Sequence, residues 1–322
     1  MKPIAPLFSL LQNPPPQIQG KALADVFHGL SGTNGPGLRF IYGDILKAFK
    51  LDPAAPLARA GMSMADLIDT PTTGPAPNYG GHGNHFHNRR HMLEVLVSAA
   101  VLLAVHDQRG FDPKFTPFEK TLLLTAALGH DLGHDGRGNG LGDKRVPLLN
   151  ETRSLLLADD IIAPHYGPGR RADYEEDFAL YRALLVSTDI GGGKNSPSNI
   201  FNAVVAFTHT HKTVPAPVTP EDQHFMSMME AYPHLPELSA LLQDADILPS
   251  TAASPEWAER QERTLAQELT AHRMPDGDVN WRDALWFRLN LAAPKSLAGQ
   301  TFASNRAEIN AHIKGLAESQ PG

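Results

Sequence analysis

Cysteine is absent from the 322 residues, which excludes disulfides and thiolate metal sites. Any metal must therefore sit on histidine or carboxylate ligands. Positive charge is in short supply: 28 Lys and Arg face 35 Asp and Glu, a formal charge of −7. That balance excludes a general attraction to nucleic acid or to an anionic membrane, so neither is expected as a partner. A phosphate-bearing ligand would need a local positive centre. Long apolar runs are also missing, since none approaches the roughly 20 residues of a membrane span. The opening MKPIAPLFSLLQNPPP is too short and too proline-broken for a signal peptide, and a cytoplasmic protein is expected. No run of alternating strands and no internal repeat is visible. What remains is ordinary globular material, 42% hydrophobic and 20% charged, enough for one large core.

The 15 histidines cluster between His82 and His134. Residues 1–20, with their Pro-Pro-Pro run, read as an extended arm, followed by short helices near 21–30 and 38–50. TPTTGPAPNYGGHGN (70–84) is a Pro/Gly-rich connector. Residues 1–83 are thus expected to form an N-terminal extension and 84–322 the main domain. HMLEVLVSAAVLLAVH (91–106) is apolar on most faces and predicts a core helix. Thr116-Pro117-Phe118-Glu119 supplies an N-cap, a Pro at the first helical position and a capping-box Glu. The helix it starts runs into His130 and Asp131. Further starts are expected at Asp173 with Glu176, Ser196-Pro197, Thr219-Pro220 and Ser254-Pro255, the last running to about His272. The prolines mark helix starts, and the fold class is all-α, a multi-helix domain.

Three segments carry chemistry. In His87-Asn88-Arg89-Arg90-His91, helical spacing would turn His87 and His91 to one face. In Gly129-His130-Asp131-Leu132-Gly133-His134-Asp135-Gly136, four ionisable side chains end an apolar helix. Burying them without partners is costly, and a divalent cation held by neutral imidazole and ionised carboxylate resolves the cost. In Gln243-Asp244-Ala245-Asp246-Ile247-Leu248, two aspartates interrupt an apolar stretch, and Asp246 can complete a site begun by His91, His130 and Asp131.

His…His-Asp…Asp across a helical domain resembles the HD superfamily of metal-dependent phosphohydrolases. Within it, HNRRH (87–91), HDLGHDGRGN (130–139), STD (187–189) and DADILP (244–249) resemble, in order, the motifs of the class I cyclic-nucleotide phosphodiesterases. The resemblance spans roughly residues 84 to 302 and makes 84–322 an HD-type catalytic domain. It implies a tighter metal, typically zinc, on His91, His130, Asp131 and Asp246. Asp131 would bridge to a second ion, typically magnesium or manganese. His87 would be the general acid, His134 would sit beside the second metal, and Asn139 would order that loop. The implied reaction is hydrolysis of a small phosphodiester, a 3',5'-cyclic nucleotide being one candidate. Its chemistry is coherent: two cations can activate a water and neutralise phosphoryl charge, and an imidazole, titrating near pH 6.5, can protonate the leaving oxygen.

Other features stay open. Asn150-Glu151-Thr152-Arg153-Ser154 looks more like bacterial HD proteins; Glu151 either bonds metal-bound water or is a surface residue at a helix start. Asp189 either packs against the site or ends its helix. Purine-reading relatives use a Gln followed closely by a Phe near the C-terminus. Gln300 and Phe302 offer those types at shorter spacing, against the alternative of a turn and a core anchor. Arg89, Arg90 and Arg137 could aid an anionic substrate, but exposure is the default. His82, His85, His209 and His211 lack a partner pattern, and Gly191-Gly192-Gly193-Lys194 lacks P-loop spacing. Rival readings are an HD phosphohydrolase of nucleotides or monoesters, an HD di-iron oxygenase, and a catalytically silent metal- or nucleotide-binding module. A homodimer is compatible with the sequence.

Overall fold

The computed structural model describes residues 4–32, 35–71, 77–141, 144–191, 198–208, 213–272 and 279–320. Among them, regular structure is helical apart from one two-stranded hairpin, so the all-α expectation holds. The chain opens with α1 (Ala5–Gln12), α2 (Gly20–Ser31), α3 (Leu38–Ala48) and α4 (Pro56–Asp69). The central helices α5 (Arg89–Arg109) and α6 (Pro117–Gly129) follow, then the hairpin of β1 (Gly140–Leu141) and β2 (Lys144–Arg145). After it come α7 (Leu149–Ile162), α8 (Arg171–Val186), α9 (Asn199–Thr208), α10 (Pro220–Ala231) and α11 (Leu235–Ala252). The chain closes with α12 (Pro255–His272), α13 (Trp281–Asn290), the single turn α14 (Leu297–Gln300) and α15 (Ala303–Ser319).

α5 is the axis of the core. Asn88 caps it by accepting the Arg90 N–H, and Gly110, at φ 66°, ends it in the left-handed conformation that favours glycine. Every residue from His91 to His106 is buried. Contrary to the reading that no run approaches a membrane span, α5 is long and apolar enough to cross one, but its apolar surface is covered by protein, as in a core helix. α6 starts on the expected capping box of Thr116 and Glu119, a device typically contributing about 1 kcal/mol. Thr219 and Asp222 repeat it at α10, and the Ser254 Oγ accepts the Trp257 N–H at the start of α12. α8 begins at Arg171, two residues before Asp173. The expected Ser196-Pro197 cap lies outside the described residues. Pro249 is an exception to prolines as helix starts, because it sits inside α11.

Residues 4–20 are not an extended arm. α1 begins with Pro6 in its first turn and buries Leu7 and Leu11, an i,i+4 apolar pair. α2 to α4 also put Phe27, Ile41, Tyr42 and Met64 into the same core as α5, α6 and α11. The Tyr42 hydroxyl meets the Thr125 Oγ1 at 2.8 Å, tying α3 to α6. The core thus continues across residue 83. A smaller cluster, with Trp281, Ile309 and Ile313, joins α12, α13 and α15.

Candidate metal centre

The centre forms where the first turn of α5, the end of α6 and the middle of α11 meet. His91 stands in α5, His130 is the C-cap of α6 with Asp131 beside it, and Asp246 comes from α11. The close fit of the α6 end is visible at Gly129, where an added Cβ would lie 1.9 Å from the Tyr181 hydroxyl. Gly133 turns the chain back at φ +69°, and a Cβ there would meet Leu157 at 2.5 Å.

Four ligand atoms converge. His91 Nε2 lies 3.3 Å from His130 Nε2, 3.3 Å from Asp131 Oδ2 and 3.1 Å from Asp246 Oδ1. His130 Nε2 lies 3.2 Å from Asp131 Oδ2 and 3.5 Å from Asp246 Oδ1. A cation bound at about 2.1 Å separates its ligands by about 3.0 Å in octahedral and about 3.4 Å in tetrahedral geometry. These five separations, and a donor set of two imidazoles and two carboxylates, fit a divalent cation.

The four groups also shift one another's protonation. Burial disfavours charge on His91, but hydrogen bonds to Asp131 and Asp246 outweigh it and lift its pKa to about 9. His130 is likewise raised well above the ordinary imidazole value, burial being overcome by the charge of Asp131. Both aspartates are held below the usual carboxylate range, since the two imidazoles outweigh their burial. A divalent ion carries the same charge as two imidazolium protons and must displace them. Zinc binding at pH 7 is therefore expected to release protons from these two imidazoles, and the His91 share should fade as pH passes about 9. Calorimetry in buffers of different ionisation enthalpy measures this; proton-neutral binding at pH 7 would contradict it.

His87 stands beside the ligands, its ring 5.5 Å from that of His91 by centroid. It precedes the Asn88 cap, so capping geometry and not a shared helix face brings the two together. Asn84 ties this loop to the next motif, its Nδ2 donating to the carbonyls of His87 and His134, each at 2.8 Å. The partner that sequence reading missed is Glu268, on α12. Its Oε1 lies 2.5 Å from His87 Nδ1, and its Oε2 accepts the N–H groups of Phe86 and His87 at 2.7 and 3.0 Å. Burial opposes the Glu268 charge, but its bond to His87 and the backbone donors keep its pKa low. Nδ1 therefore carries a proton, which leaves Nε2 as the nitrogen for exchange. The available signal was slight: Trp257, Gln261 and Glu268 follow the buried stripe of α12, so a carboxylate occupies a core position.

His134 stacks on His87 with centroids 3.9 Å apart. Burial, reinforced by His87, lowers its pKa to about 3, so the ring is neutral. Its Nδ1 accepts the Gly136 N–H at 3.0 Å, which puts the ring proton on Nε2. The Asn150 Nδ2 is placed 3.0 Å from that Nε2 while its Oδ1 has no partner. Turning this amide over gives Nε2–H its acceptor. Asn139 donates to Glu151 Oε2 at 3.1 Å and to Asp189 Oδ1 at 3.3 Å. Glu151 and Asp189 are both buried, so the readings as a surface residue and as a mere helix end fall. Burial, with the charge of Asp189, raises Glu151 to about 8.

Gln300 and Phe302 are not brought to this centre. Phe302 is a core anchor, 2% exposed, and Gln300 is exposed on α14. Their neighbours Thr301 and Ala303 line a surface cavity with Arg109 and Phe111. Arg109 ends α5, about 27 Å along that helix from His91 at 1.5 Å per residue. The residue types matched a base-reading pair, but the short spacing puts them in a turn and a core. Asp244 is buried on another face of α11, bonded to the Lys295 and Ser296 N–H groups. Arg89 pairs with Asp69, Arg90 pairs with Glu94, and Arg137 is exposed. His82 meets the Ile68 carbonyl, and His85 is exposed. His209, His211 and Gly192-Gly193-Lys194 lie outside the described residues.

Residues 86–142 match the family described as 3'5'-cyclic nucleotide phosphodiesterase. No curated protein matches the chain. Among solved structures, the phosphodiesterase domain of the RhoPDE fusion protein from the choanoflagellate Salpingoeca rosetta is similar, at 17% identity and TM-score 0.63, covering 97% of this chain and 96% of that one. LmjPDEB1, solved in complex with IBMX, is similar at 14% identity and TM-score 0.58, covering 99% of this chain and 93% of that one. The matched segment holds His87, His91, His130, Asp131, His134 and Asn139, and the chain shares the fold of phosphodiesterase domains.

Proposed function

We propose that the chain hydrolyses a small phosphodiester, with a 3',5'-cyclic nucleotide as the first candidate, using two divalent ions and His87 as general acid. The observation that carries this reading is the convergence of His91, His130, Asp131 and Asp246 beside an imidazole anchored by Glu268. His91, His130, Asp131 and Asp246 would hold the tighter ion, zinc, and Asp131 would be shared with magnesium or manganese. Bound there, divalent cations supply a nucleophile at neutral pH and offset charge on the phosphoryl group. The chain's own contribution is a proton at a fixed place. Glu268 holds the Nδ1–H of His87 and fixes the ring, so that Nε2–H would face a leaving ester oxygen and protonate it as the bond breaks. The stacked, neutral His134 limits rotation of that ring without adding a competing charge.

A silent binding module has no use for an oriented proton donor, so the Glu268–His87 pair favours the enzyme. Product analysis with the metal-loaded protein tests the reading. Hydrolysis of a cyclic nucleotide to a nucleoside monophosphate supports it. Release of phosphate or pyrophosphate from nucleotides, with diesters untouched, would favour the monoester or nucleotide phosphohydrolase instead.

A further inference from the structure

A carboxylate as buried as that of Asp189, 3% exposed, needs strong donors to remain in place. Among the described residues it has three: Asn139 Nδ2 at 3.3 Å, the Gly191 N–H at 3.0 Å, and the guanidinium of Arg145. Arg145 stands on β2, in the hairpin between the His130–His134 segment and α7. Its side chain is 29% exposed, so it covers Asp189 from the solvent side. Asn139, the shared partner, is used at both ends. Its Nδ2 also donates to Glu151, and its Oδ1 accepts the Asn150 N–H at 2.7 Å. Asn150 in turn meets the ring of His134, which stacks on His87. A continuous chain of contacts thus runs from a rim arginine to the proton donor.

We infer that Arg145 is a positioning residue: paired with Asp189, it locks the Asn139 amide and so holds the His134 ring against His87. Arg145 belongs to none of the motifs, and its contact is with Asp189 alone among the residues of the centre. The planar guanidinium fixes a direction as well as a charge, whereas a lysine ammonium supplies only the charge. This inference rests on the hydrolase reading for its activity arm only.

The test uses the full chain, metal-loaded, with R145M, R145K, N139A and the R145M/N139A double variant. R145M is expected to lower kcat about tenfold with KM nearly unchanged, and R145K to recover part of the loss. Because both residues act along one path, the double variant should lose no more than the worse single variant. The second readout is the ring ¹⁵N spectrum of His134, expected to show a protonated Nε2 in the parent and to move towards tautomer averaging in R145M. Additive losses, or a His134 spectrum unchanged in R145M, would overturn the inference. Should R145M fail to fold, the His134 spectrum of R145K decides in the same way. If the parent hydrolyses no phosphate ester yet the His134 spectrum responds to R145M, the positioning role stands and the hydrolase reading fails.

Discussion

His130→Ala is expected to empty the tighter metal site and to reduce phosphodiester hydrolysis by at least about a thousandfold. The reasoning starts from geometry. His130 Nε2 lies within 3.5 Å of the ligand atoms of His91, Asp131 and Asp246, so its removal opens one edge of the cage. Metal chemistry of this kind contributes several kcal/mol to the transition state, and each 1.36 kcal/mol is a factor of ten. The fold should persist, because α6 is held by Leu122, Leu123, Leu124 and Leu128 in the core and not by its C-cap imidazole. Elemental analysis and circular dichroism of the purified variant separate the two effects. Lost helicity would make the activity loss uninformative, and Asp246→Asn, on the more exposed rim of the cage, then serves as the second variant. Full zinc retention in a folded His130→Ala protein would contradict the ligand assignment.

His87→Ala is expected to behave differently. Metal content should be retained, and turnover of an alkyl diester should fall by about 10²- to 10⁴-fold, the usual contribution of a positioned acid. A nitrophenyl diester, whose leaving group departs without a proton, should lose far less. That split between leaving groups is the signature of a proton donor and is not produced by a lost ligand. Glu268→Gln should act on the same proton. Without the anion at 2.5 Å, the His87 ring is held less firmly, so turnover of the alkyl diester should fall while the nitrophenyl diester is less affected. Equal losses on both diesters in His87→Ala would remove His87 from the acid role.

The legible parts of the molecule share one property: their signal is local. The capping box at Thr116 and Glu119, the all-round apolar α5 and the Thr219 cap can each be read within a few residues, because caps and periodicity are local physics. The same holds for His130 and Asp131, a charged pair closing an apolar helix. What escaped the sequence depends on tertiary placement. Glu268 was one glutamate among several on a polar-faced helix, and only packing against residues 86–87 gives it a role. Arg145 looked like any basic residue in a connecting hairpin until Asp189 was brought beside it. Helical periodicity gave α2 and α3 but not their destination, so the N-terminal residues were read as an extension while their apolar faces belong to the main core. Gln300 and Phe302 failed for the converse reason: residue type was matched without the spacing that would carry it to the centre.

The central claim is that this constellation makes a metal-dependent phosphodiester hydrolase, and one reconstitution experiment tests it most directly. The protein is stripped with a chelator, then reloaded with zinc and with magnesium or manganese, and hydrolysis of a phosphodiester panel that includes 3',5'-cyclic nucleotides is followed throughout. The predicted result is no hydrolysis in the stripped protein, recovery on reloading, and a monoester as product. Hydrolysis that survives complete metal removal, or a fully loaded and folded protein that cleaves no phosphodiester, would contradict the account.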